Sequence, residues 1–136
     1  MNEQRRQVRV GLAQVDTRVG DLTGNAELVT RWTARAAEAG VHLVVFPEMT
    51  LTGYPPEDLV LRESFAHASE RAVVELAAAL EKQGHGDVAV VVGYLAHTAG
   101  AGPAPAESMP HDDDRPSDAN PRRGAPRNAA ALLHGG

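Results

Sequence analysis

Cysteine is absent from the 136 residues. That removes disulfides, thiolate metal sites and a cysteine nucleophile from this stretch of chain. Aromatic residues make up only 4%, so a core has to be built from Val, Leu and Ala. Lysine occurs once, as Lys82, and the net charge is −5. That sign argues against a general nucleic-acid binder, which must neutralise phosphates. Long apolar runs are missing too. The longest, VAVVVGYLA, falls far short of the roughly 18 residues of a membrane span. The polar start MNEQRRQ lacks the apolar segment of a signal peptide. These absences lead to the expectation of a soluble, cytoplasmic protein that engages neither nucleic acid nor membrane.

What is present is ordinary for a globular chain: 43% hydrophobic residues. The length suits one domain, burying about two-thirds of the surface its unfolded chain exposes. Three apolar runs, at 8–15, 41–46 and 88–95, are apolar or small on both faces and read as buried strands. Between them lie two stretches with helical spacing. In the first, Asn25 is the expected N-cap, Leu28, Val29, Trp32, Ala36 and Ala39 form the stripe, and Gly40 is the stop. In the second, from Ser64 to about Lys82, Phe65, Ala68, Ala72, Val73, Leu76 and Leu80 recur. The order is β-α-β-α-β, an α/β sheet.

Composition then changes. Residues 97–127 contain six of the nine prolines and almost no large apolar side chain, and read as a disordered or mobile insertion. A further strand is expected at 128–134. Gly135-Gly136 has the form of a hairpin turn, so its partner is expected further along the chain, as if the sequence stopped within a domain.

The stretch VVFPEMTLTGYPPEDL, residues 44–59, holds the chief candidate. Pro47 ends a strand and Glu48 follows it. The C-terminal end of a buried strand is the usual ligand position of an α/β sheet. Apolar neighbours there would suit a carboxylate to proton transfer. Position alone nevertheless favours an ordinary loop glutamate. Tyr54, stiffened by Pro55 and Pro56, either lines a pocket or packs over the sheet edge. Glu57 and Asp58 read as helix N-terminal charges. HDDD at 111–114 lacks the ligand spacing and glycine of a calcium loop and reads as a solvated charge run. No G-x-G-x-x-G follows a strand, and the short basic patches RRQVR and Arg122-Arg123 read as solvated. His42, His67, His85, His97 and His134 share no metal-ligand spacing, so no metal site is expected.

Taken together, these segments resemble the nitrilase, or carbon–nitrogen hydrolase, superfamily. Within it they are most similar to the N-terminal glutaminase domain of the bacterial glutamine-dependent NAD+ synthetases. VRVGLAQVDTRVGDLTGNAELV resembles the first strand, loop and helix of that domain. HLVVFPEMTLTGYPPEDLVLRESF resembles its glutamate motif, with GYPPEDL the more specific part. VVVGYL resembles the third strand, and APRNAAALLHGG the strand and turn before the family's lysine. Only about 99–124 falls outside the resemblance.

The resemblance implies an α-β-β-α sandwich, of which residues 1–136 would supply the first half. It implies a Glu-Lys-Cys triad in which Glu48 is the proton acceptor, with Tyr54 as a substrate-binding residue and the lysine and cysteine beyond this chain. It implies L-glutamine as the substrate, and ammonia passed to a separate synthetase domain. That domain would use ATP and Mg2+ to amidate deamido-NAD+ within a homo-oligomer. None of these cofactors is expected in the chain itself, which alone would be inactive. Another amidase of the superfamily, of omega-amidase or carbamoylase type, is the alternative, and a non-catalytic truncated module is a third.

Overall fold

The structure, a computed structural model, describes residues 7–97 and 125–135. Four strands form one sheet: β1 (Val10–Leu12), β2 (Leu43–Val45), β3 (Ala89–His97) and β4 (Pro126–Leu133). They lie in the order β1-β2-β3-β4. The first three are parallel, and β4 runs antiparallel to β3. Two helices make the crossovers, α1 (Leu22–Glu38) and α2 (Glu63–Lys82). The α/β expectation and the order of elements therefore hold.

Both crossovers advance the same way across the sheet, so connections of the usual right-handed sense place both helices on one face. The core lies there. Val29 of α1 and Leu76 and Leu80 of α2 pack with Val44, Val90 and Val92 of the strands. The period-2 geometry of a strand turns alternate residues to the other side. In register there stand Val10, Leu43 and Ala89, then Leu12, Val45 and Val91, continued by Leu132. Leu12 is 78% exposed and Leu132 68%. This corrects the expectation of strands buried on both faces. The residues on that side are apolar as expected, but no described element covers them.

Two further expectations are corrected. Helix α1 starts earlier than proposed: Asp21 is the N-cap, accepting a hydrogen bond from the Gly24 N–H at 2.9 Å. Gly24 is thus inside the helix rather than before it, and Asn25 has other work, described below. Strand β4 starts at Pro126 rather than at the expected 128, and the hairpin partner expected after Gly135-Gly136 lies outside the described residues. The strand pairs with β3 from Val90–Leu133 to His97–Pro126. The pairing draws His97, Pro126 and Arg127 into strands, so the expected insertion is narrower at both ends. Its interior, with the HDDD run, lies outside the described residues. Gly40 ends α1 as expected, at φ +67°. Glu57 and Asp58 occupy the first turn of a short 3-10 helix, Glu57–Leu61.

Candidate active site

The loop after β2 is built to carry Glu48 over the sheet. The Phe46 N–H still bonds to Val91 O at 2.9 Å. Pro47 then ends the ladder, because it has no N–H to give. The chain crosses directly above β3 at Gly93. A Cβ on Gly93 would collide with the amide nitrogen of Met49 and lie 2.9 Å from Pro47 O. Met49 takes φ +54°, in the left-handed region. The turn is held by its own hydroxyls: Thr50 Oγ1 donates to Pro47 O at 2.5 Å and Thr52 Oγ1 to Met49 O at 3.1 Å. The Leu51 N–H donates to Gly93 O at 3.1 Å. Thr50, Leu51 and Thr52 are all buried.

Asn25 fixes this loop from the other side. The residue is 2% exposed. Its Oδ1 accepts from the Arg18 N–H at 2.9 Å, and its Nδ2 donates to Arg18 O at 2.8 Å and Leu51 O at 3.0 Å. One side chain in α1 thereby ties the loop after β1 to the loop after β2. Gly53 completes the junction. It has φ +75°, and a side chain there would strike the backbone of Arg18 and Val19.

Glu48 itself is exposed. Its Oε1 accepts a hydrogen bond from Asn128 Nδ2 of β4. Together they edge an open cleft of about 330 Å³, lined also by Phe46, Val91, Gly93 and Ala130. The cleft lies on the uncovered face of the sheet. A carboxylate oriented by a neutral amide donor in an open cleft can take up and release a proton; a nucleophile has to reach it from elsewhere. The apolar surroundings expected for Glu48 are therefore only partly present, since Asn128 is a polar partner. Sequence reasoning missed Asn128, whose signal was a lone amide at the head of the apolar run AAALL. Tyr54 is 67% exposed and does not line this cleft. Its exposure disagrees with a tyrosine packed over the sheet edge.

The histidines also depart from expectation. His67 of α2 and His97 of β3 come together with Glu63, one ligand atom of each lying within 4.8 Å of the others. Glu70 stands beside them. The His97 N–H, donating at 2.7 Å, does most to hold its carboxyl below the usual glutamate range, against the opposing effect of burial. The His67 ring, with Nδ1 3.1 Å from Glu70 Oε2, acts in the same direction.

A sheet with helices on one face and a strand-end glutamate facing the other matches a known class of proteins. The family model for carbon–nitrogen hydrolases matches residues 9–107, and the chain belongs to that family. Among curated relatives, it is 44% identical over 85 residues to the glutamine-dependent NAD(+) synthetase of Xylella fastidiosa, a match covering 62% of this chain and 15% of that protein. The corresponding figures for the Thermotoga maritima synthetase are 37% over 90 residues, covering 66% and 15%. The chain thus matches about 15% of the length of these relatives. In fold it resembles the glutamine-dependent NAD(+) synthetase of Cytophaga hutchinsonii, with TM-score 0.68 at 23% identity over 94% of this chain and 17% of that one. An amidase from Nesterenkonia sp. AN1, in a variant lacking one glutamate, superposes with TM-score 0.57 at 27% identity, covering 65% and 32%. That variant carries the acetamide moiety of fluoroacetamide on its active-site cysteine.

Proposed function

We propose that these residues form the glutamate-bearing part of a glutaminase, with Glu48 as its proton acceptor and L-glutamine as its substrate. The observation that carries this reading is the placement of Glu48 at the C-terminal end of β2, in a cleft on the uncovered sheet face. Ligands of open α/β sheets bind at that end of the strands. The names of the relatives support the substrate, and the cysteine adduct of the amidase supports the type of chemistry.

A side-chain amide is a poor electrophile, so hydrolysis goes through a covalent acyl intermediate on a thiolate. Glu48 would accept the thiol proton and deliver it to the departing ammonia. It would then take a proton from the water that cleaves the acyl bond. A lysine and a backbone N–H would stabilise the oxyanion. The chain has no cysteine, and Lys82, its one lysine, sits in the last turn of α2. Both remaining groups therefore come from outside these 136 residues, and the chain alone is expected to be inactive. Tyr54, exposed six residues after Glu48, is the proposed substrate contact from the same loop. In the whole protein, ammonia would amidate deamido-NAD+ to NAD+ at a domain using ATP and Mg2+, in a cytoplasmic homo-oligomer. Among the described residues no helix is long and apolar enough to cross a membrane.

The test is Glu48→Gln in the full-length protein. Glutamine-dependent NAD+ formation should fall by about 10²–10⁴-fold, while synthesis from added ammonia continues. An unchanged glutamine-dependent rate overturns the role of Glu48. The likeness to the Nesterenkonia amidase favours one second reading, a simple amidase. Hydrolysis of short aliphatic amides without any support of NAD+ formation would establish that instead.

A further inference from the structure

A second group of chemistry-bearing side chains lies away from the Glu48 cleft, and nothing in the glutaminase reading uses it. Glu63 and His67 stand one turn apart on the first two turns of α2, with Glu63 Oε1 3.6 Å from His67 Nε2. Residues at i and i+4 share one face of a helix. His97, the last residue of β3, brings a third donor from thirty positions further on. Its ring centroid lies 5.1 Å from that of His67.

We propose that Glu63, His67 and His97 form a binding site for a divalent transition-metal ion, Zn2+ in the first instance. Two imidazoles and a carboxylate are the donors that such an ion selects. Bonds of about 2.0–2.1 Å in tetrahedral array put neighbouring donors about 3.3 Å apart. The Glu63–His67 pair is already close to that, and the third donor lies within 4.8 Å. Small side-chain rotations close the remainder. Three protein donors leave a fourth position for water.

The outer partner is also in place. Glu70 Oε2 lies 3.1 Å from His67 Nδ1, and Glu70 Oε1 accepts the backbone N–H of His97 at 2.7 Å. A ligating histidine whose other nitrogen is held by a carboxylate has its tautomer and ring orientation fixed. Here one carboxylate positions the ring of His67 and the backbone of His97 together. An ordinary pair of helical surface charges would explain Glu63 with His67, or His67 with Glu70. It does not explain why His97 is drawn into the same group from another element. The bound ion would clip the start of α2 to the end of β3.

Titration of Zn2+ into the protein, followed by calorimetry and thermal unfolding, tests this. One ion per chain is expected, with micromolar or tighter affinity and a raised melting temperature. His97→Ala and Glu63→Gln should abolish that binding. Glu70→Gln should weaken it by about 10–100-fold. His134→Ala, at an exposed histidine outside the group, should leave it unchanged. Paramagnetic Co2+ added to the unaltered protein should broaden the ring signals of His67 and His97 and spare those of His42, His85 and His134. No stoichiometric binding, affinity unchanged in His97→Ala, or broadening spread over all the histidines would each overturn the site.

Discussion

Gly93 and Asn128 show how a site rests on residues that carry no chemistry of their own. Gly93 leaves room for the Pro47–Met49 backbone to cross β3, and so sets where Glu48 emerges. Overpacking costs about 1–3 kcal/mol. Gly93→Ala should lower stability by that much in chemical denaturation, and, if Glu48 acts as proposed, should depress glutamine-dependent activity of the full-length protein further than the stability loss explains. Asn128→Ala removes the donor to Glu48 Oε1 at an exposed strand position. Its stability should stay within about 0.5 kcal/mol of the original, while under the proposed function glutamine-dependent turnover of the full-length protein falls. At this scale the sequence was legible only in part. Glu48 could be picked out because a proline ended an apolar run just before it. Asn128 could not, because its partner is eighty positions away and only strand pairing brings the two together.

At the scale of elements, α1 acts as a brace as much as a crossover. Its Asn25 closes three backbone hydrogen bonds in two different loops. Leaving buried backbone groups unsatisfied costs about 1–3 kcal/mol each. Asn25→Ala should therefore destabilise the fold by more than the same change at exposed Thr23, and denaturant midpoints would show it. Leu76→Ala, in the middle of α2 at 2% exposure, should cost about 2–5 kcal/mol by emptying the helix–sheet core. The two helices were legible because their apolar residues recur at 3.6-residue spacing. The start of α1 was not. Asn25, just ahead of the apolar stripe, reads as the cap. The actual cap is Asp21, whose carboxylate satisfies the Gly24 N–H and lets the glycine stay helical.

Over the whole molecule, the asymmetry of the sheet dominates. Helices cover one face, and the other presents Val10, Leu12 and Leu132 to solvent together with the Glu48 cleft. Contiguous apolar surface of this kind marks an interface. Leu12→Lys and Leu132→Lys should leave the unfolding midpoint of the chain nearly unchanged. In a longer protein of the proposed kind, where further chain covers this face, the same changes should be strongly destabilising. Equal effects in both settings would show that the face stays open. Sequence pattern identified these residues as apolar but could not say what covers them, because alternation reports a preference for burial and not the identity of the neighbour.

The β3–β4 ladder carries a consequence for redesign. Its last pair, His97 with Pro126, holds both ends of the intervening 28 residues side by side. Joined ends make the length between them thermodynamically cheap, since each doubling of a loop costs only about 0.6 kcal/mol. The ladder therefore works as a socket in which the connection can be exchanged without disturbing the sheet. Replacing 98–125 by a short Asn-Gly turn should keep the fold and raise its stability by about 2 kcal/mol, read from thermal unfolding. A reporter domain with neighbouring termini could be seated at the same place.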